Sequence, residues 1–199
     1  DVALSGKYVE DAVNDGVRQA YENFRKSSVH PLSRKNSGDN TPAIIHTRIV
    51  KGDKVKVSCM MKGFGSENMS RLFMLTPADG VEGVVEKVVE TVKDAGSCPC
   101  PPVILGVGVG GTMEKAALMS KHALLGDLDK ENPDEYLSAL EKEMLEKINA
   151  LGIGAEGFRG DVTALRVFIE TENTHIAGLP VAVTVQCHCS RHGERIIEG

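Results

Sequence analysis

The sequence predicts an α/β fold, a mixed β-sheet packed with amphipathic helices in a single domain. Three observations predict it. Of the 199 residues, 41% are apolar, enough for a sizeable core. Several segments place apolar residues at the i, i+3, i+4, i+7 spacing of a helix face. Short runs rich in β-branched residues lie between them, and the two kinds of segment mix through the chain.

The elements follow in order. From Ser5 to Phe24 the stripe is Val9, Ala12, Val13, Val17, Ala20, Tyr21 and Phe24, a helix with Ser5 as its cap. The polar stretch RKSSVHPLSRKNSGDNTP, residues 25–42, reads as an ordered loop. Loops of that length in compact domains are often functional. AIIHTRIV and KVKVSCMM flank KGD and predict a hairpin, and KGFGSEN follows as a glycine loop. Thr76 and Pro77 open a helix with a stripe of Val81, Val84, Val85, Val88, Val89 and Val92, stopped by Gly96. Asp79 sits three residues after Thr76, the capping-box spacing. VILGVGV is a short buried strand, and a helix is expected over 112–125. Asn132 and Pro133 begin another, striped by Leu137, Leu140, Met144, Leu145, Ile148 and Leu151 and ended by Gly152. DVTALRVFIE and PVAVTVQC are strands, and the tail is polar.

Charge and cysteine content exclude some functions. The net charge is −5 and no basic cluster is extended, so a nucleic-acid surface is not expected. No apolar run reaches the roughly 18 residues of a membrane span, and the first residues do not resemble a secretory signal. The absence of an initiating Met suggests a fragment or a processed chain. The cysteine count is odd, at five, which fits a reducing, cytoplasmic setting.

Three motifs carry possible chemistry. Gly106, Gly108 and Gly111 satisfy G-x-G-x-x-G after a strand and before a helix. An acidic partner for a ribose would be Asp127 or Asp129, but both fall in a loop, and no further βαβ strand follows. Tight strand–helix packing, or an anion site, explains the glycines as well. The pairs Cys98/Cys100 and Cys187/Cys189 invite metal. A one-residue gap makes it hard for both sulfurs of a pair to reach one ion, so one ligand from each pair is expected. Thiolates suit an iron–sulfur cluster, and a cluster iron without a protein ligand binds substrate. Cys59, inside a strand pattern, reads as a small core residue. His175 lies in a loop before a strand. Arg25 and Arg191 are candidate carboxylate clamps, although an Arg at a helix end is more often a solvated charge.

Together, NSGDNTPAIIH, KGFGSENMS, LTPADG, CPPVILGVGVGGTMEKAALMSKHAL and THIAGLPVAVTVQCHCSRH resemble the α-type domain of the class I, iron–sulfur fumarate hydratase and L-tartrate dehydratase family. The resemblance spans nearly the whole chain, so residues 1–199 are expected to be one α-type catalytic domain. It implies a [4Fe–4S] cluster held by three cysteines, with one iron open to substrate. A family ligand directly precedes the proline pair, which selects Cys100. Another lies four residues before an Arg near the domain's end, which selects Cys187. The third lies in a CQDTG-like segment upstream of the first helix. Nothing here matches that segment or its Asp, so the domain is expected to be truncated at its N-terminus.

The reaction implied is reversible hydration of a C4 dicarboxylate, fumarate to malate, as in the tricarboxylic acid cycle. His175 matches the catalytic His that protonates the leaving hydroxyl. Arg25 matches an Arg that binds a substrate carboxylate, and Gly65 a backbone contact to substrate. A β-type subunit or domain completes the family's site, so a hetero- or homo-oligomer is expected, and this chain alone is expected to be inactive. L(+)-Tartrate dehydratase α subunit is the alternative. A cluster-free structural or interaction module is the rival from another class, and a nucleotide-binding oxidoreductase comes third.

Overall fold

A computed structural model describes residues 8–189 and 191–198. Two compact units are resolved, residues 1–57 with 195–199, and residues 58–194. In the first unit, α1 spans Val9–Ala20 and buries none of its residues. Its start at Val9 follows Tyr8, and the expected cap Ser5 lies outside the described residues. Residues 25–42 form the expected loop, without helix or strand beyond a single Val29–Asn36 bridge.

The hairpin expected over 43–61 does not form. Only its second half is a strand, β1 (Lys54–Met61), and it pairs with β6 (Arg191–Glu198) in the polar tail, where no strand was expected. Ile44, Ile49 and Val50 are exposed in a segment without helix or strand. β-Branched composition is a preference for a pleated, half-buried surface. Cys59 on β1 is also exposed, so it is not the core residue its neighbours suggested.

The second unit carries a four-stranded mixed sheet of order β2-β5-β3-β4, formed by Arg71–Leu75, Val103–Gly110, Ala164–Glu172 and Leu179–Cys187 in chain order. β3 pairs parallel to β4 and antiparallel to β5, and β2 pairs antiparallel to β5. β2 carries no alternation that marks it as a strand. The parallel pair needs a long crossover, which contains α4 (Met113–Ala123) and α5 (Glu135–Asn149).

β3 is buried on both faces, which is why its sequence is continuously apolar. Val103, Leu105 and Val107 join Val181, Val183 and Val185 of β5 in one cluster. That cluster includes Val84, Val85, Val88 and Val92 of α3 (Gly80–Ala95) and Met144 and Ile148 of α5. Each such side chain contributes about 1.5–3 kcal/mol by leaving water. On the other face, a Cβ on Gly106 would lie 2.0 Å from the Ser120 carbonyl oxygen, and one on Gly108 would lie 2.1 Å from that of Ala116. The glycines of the G-x-G pattern therefore let α4 press its backbone onto β3. Their role is packing along the strand.

Local signals held at the helix ends. Asp79 accepts from the Thr76 amide and hydroxyl, both at 2.7 Å, in the expected capping box. At α5 the start shifts: Asp134, not the expected Asn132–Pro133, caps the helix by accepting from the amides of Tyr136 and Leu137. One buried carboxylate does more. Glu141 of α5, 4% exposed, accepts from the Ile169 amide and from Asn132 Nδ2, each at 2.8 Å. It thereby satisfies an N–H on the edge strand β4.

Candidate active site

The antiparallel register of β3 and β5 places Val103 opposite Cys187. Cys100 lies three residues before Val103, so both cysteines arrive at the same end of the sheet. The turn carrying Cys100 leaves α3 through the hydrogen bonds Cys98 N–H to Ala95 and Cys100 N–H to Ser97. Cys100 itself has a left-handed backbone, φ +54.

The thiols share one electrostatic neighbourhood. Desolvation, then the Glu156 carboxylate, then Cys187, push the Cys100 thiol upward, and Cys189 adds to this. Crowded thiols resist joint ionisation, whereas a bound cation reverses that preference. His188, between Cys187 and Cys189, puts Nδ1 3.2 Å from the Cys100 carbonyl oxygen and 3.8 Å from Glu156 Oε1. It ties the two cysteine segments together.

Gly65 belongs to the same end. It sits in the helical turn α2 (Phe64–Glu67), where a loop was expected, and a Cβ there would lie 3.3 Å from the Cys98 carbonyl oxygen. Beside it, Lys62 donates to Ser66 Oγ at 2.9 Å and pairs with Glu67 at 3.3 Å, and Lys121 also pairs with Glu67. Burial lowers the Lys62 pKa, while Glu67 and Cys187 oppose that shift. Lys62 and Glu67 fall within KGFGSEN, whose local pattern signals no role for them. Their link to Lys121 depends on α2 and α4 both packing on β5.

Arg25 is exposed in the first unit, at the start of the 25–42 loop. The Arg191 side chain lies outside the described residues. His175 is not brought to the cysteines of its own chain. It lies in the β4–β5 connection, where Thr174 Oγ1 donates to the Gly111 carbonyl. It lines an apolar groove of about 400 Å³ with Tyr136, Leu140, Ile176 and Leu179. β5 runs from Leu179 to Cys187, roughly 26 Å at the rise of an extended strand.

The donors suit a thiolate-ligated cluster in type, since two soft sulfur ligands meet at one sheet end. Among the described residues no three His, Cys, Asp or Glu side chains converge on one metal position. Cys100 and Cys187 offer two sulfur donors of the kind such a cluster takes.

A profile of the fumarate hydratase (Fumerase) family matches residues 1–196. The chain belongs to the fumarate hydratase (Fumerase) family. Within or beside that family, it is 44% identical to a putative L(+)-tartrate dehydratase subunit alpha of Methanocaldococcus jannaschii, over 96% of this chain and 70% of that one. It is 32% identical to the L(+)-tartrate dehydratase subunit alpha of Escherichia coli O157:H7, over 82% of this chain and 54% of that one. A third relative, the same subunit of Escherichia coli strain UTI89, is 33% identical over 80% of this chain and 52% of its own length. The match thus spans about half the length of the Escherichia coli subunits. The fold gathers Gly65, Cys100 and Cys187 at one end of its sheet.

Proposed function

We propose that this chain is the α-type catalytic part of a [4Fe–4S]-dependent hydro-lyase that adds water reversibly to a C4 dicarboxylate, fumarate giving malate. The observation that carries the reading is the convergence of Cys100 and Cys187 at one end of the β3–β5 pair, with Gly65 against the same turn. Cys100 and Cys187 supply two cluster thiolates. When bound, the cluster's open iron supplies Lewis acidity toward the substrate's hydroxyl and carboxylate oxygens. The Gly65 amide and the Arg25 guanidinium bind the dicarboxylate, the latter by charge-assisted hydrogen bonds. His175 protonates the departing hydroxyl. Because His175 stands at the far end of β5, it serves the cysteine pair of a neighbouring copy in an oligomer. A β-type subunit or domain supplies the remaining contacts. The odd count of five cysteines suits a cytoplasmic setting.

L(+)-Tartrate dehydration is the second reading. It is favoured by the names of the relatives, which are tartrate dehydratase alpha subunits. The deciding experiment is anaerobic reconstitution of the full-length protein and its β partner with iron and sulfide, followed by assays on fumarate and on L-tartrate. A brown protein that hydrates fumarate supports the first reading. A brown protein active only on tartrate supports the second, and a colourless protein overturns both. Cys100→Ser blocks cluster uptake and Cys98→Ser does not. If His175 acts between copies, mixing the inactive Cys100→Ser and His175→Ala proteins restores turnover. No recovery in mixed oligomers removes that assignment.

A further inference from the structure

The loop that follows Arg25 folds back on it through side-chain amides. Asn40 Nδ2 donates to the Arg25 carbonyl at 2.9 Å. Its Oδ1 accepts from the Ser28 amide at 3.1 Å and also from the Ser27 amide. One side chain thus uses donor and acceptor together on the residues that carry Arg25. Asn36 adds a second clamp, with Nδ2 donating to the Lys26 carbonyl at 2.9 Å. Before Arg25, the Lys26 ammonium donates to the carbonyls of Tyr21, Glu22 and Phe24, just past the end of α1.

The loop is also fastened to α1. Asp39 accepts from Arg18 Nε at 2.8 Å, and from the Thr41 amide and hydroxyl. Asn14 Oδ1 accepts from the Ala43 amide at 2.8 Å. None of these groups belongs to the apolar core. Asn40 holds a left-handed backbone, φ +62, which Asn tolerates better than most residues. These bonds form at the surface, where each contributes little to net stability. Their joint effect is to fix one backbone geometry around Arg25.

We propose that Asn40 is the positioning residue for Arg25, fixing the backbone from which the guanidinium reaches the substrate carboxylate. The inference rests on the reading of Arg25 as a carboxylate binder. A bidentate clamp depends on placement as well as charge, so loosening its base weakens substrate binding before it affects the reacting groups. Asp is the informative replacement. It keeps the shape and the acceptor of Asn40 but sets an oxygen against the Arg25 carbonyl.

The test uses the reconstituted holoenzyme with its β partner. Asn40→Asp is expected to raise KM for malate or L-tartrate about five- to tenfold, the effect of one or two neutral hydrogen bonds. Cluster content and kcat stay near wild type. Asn40→Gly, which keeps the left-handed backbone and removes the contacts, gives the same rise if the Asp variant folds poorly. The decisive comparison is a double-mutant cycle with Arg25→Met. If Asn40 acts through Arg25, the double variant is no worse than Arg25→Met alone. Additive losses, or wild-type KM in both Asn40 variants while Arg25→Met is impaired, overturn the proposal. Wild-type KM in Arg25→Met overturns the Arg25 reading itself, and this inference with it.

Discussion

The sheet around β3 and the loop around Asn40 are held by opposite physics. β3 packs apolar side chains on one face and bare glycine backbone on the other, and its helices close on both faces. The 25–42 loop contributes nothing to the core and keeps its shape through amide, carboxylate and ammonium side chains that bind backbone. Burial is non-directional and scales with area, so the sheet tolerates exchanges of similar volume. Hydrogen bonds are directional, so the loop is expected to be sensitive to exchanges that preserve shape but alter donors. In this comparison the cysteine end belongs to the sheet, and Arg25 to the loop.

The largest expected effect breaks the sheet side. A Cβ at Gly108 would meet the Ala116 carbonyl oxygen at 2.1 Å and the Ser120 nitrogen at 2.8 Å, both backbone atoms of α4. Gly108→Ala is therefore expected to cost about 3 kcal/mol or more, because a helix must move. A urea unfolding midpoint equal to wild type would show that α4 does not lie so close.

A smaller effect is expected where the two kinds of force meet. Glu141→Ala leaves the Ile169 amide on β4 without its acceptor and should cost about 1–3 kcal/mol. Glu141→Gln keeps an acceptor oxygen and should recover part of that loss. Thermal melts of the pair decide this, and equal melting of both variants would show that side-chain volume alone matters there.

The smallest effect sharpens the loop side. Its contact with Arg18 holds the Asp39 carboxyl well below the usual range, at about 2, and Thr41 reinforces this. The native pKa lies below the unfolded one. The contribution is thus fully present above about pH 4 and is lost as pH falls toward 2. Asp39 and Arg18 are surface groups, so salt should weaken the pair. The protection factor of the Thr41 amide, its exchange relative to the intrinsic rate at each pH, should fall between pH 4 and 2 in the wild type and already be low at pH 5 in Asp39→Ala. Unchanged protection in that variant would assign the loop's order to Asn36 and Asn40 alone.

The elements that could be read from sequence are those whose signal is local. The α3 stripe, its Thr76–Asp79 box and its stop at Gly96 all act within a few residues, and all were found. The β3 run was legible because full burial on both faces demands continuous apolarity. β2 and β6 were missed, and a strand over 43–50 was expected wrongly, because pairing depends on partners far along the chain. For the site, adjacency of a cysteine to the proline pair was visible in sequence. The Lys62–Glu67–Lys121 cluster and the distance between His175 and the cysteines were not.

By itself the sequence determined the α/β class, the capping box and glycine stop that bound α3, and the motifs that resemble the family. These follow from short-range periodicity and steric preference. Tertiary structure alone decided that Cys100 and Cys187 share one end of the sheet, that His175 stands at the other, and that Asn40 grips the Arg25 backbone. The physical reason is register. Antiparallel pairing of β3 with β5 makes neighbours of positions far apart in the chain, and the length of β5 holds its two ends apart.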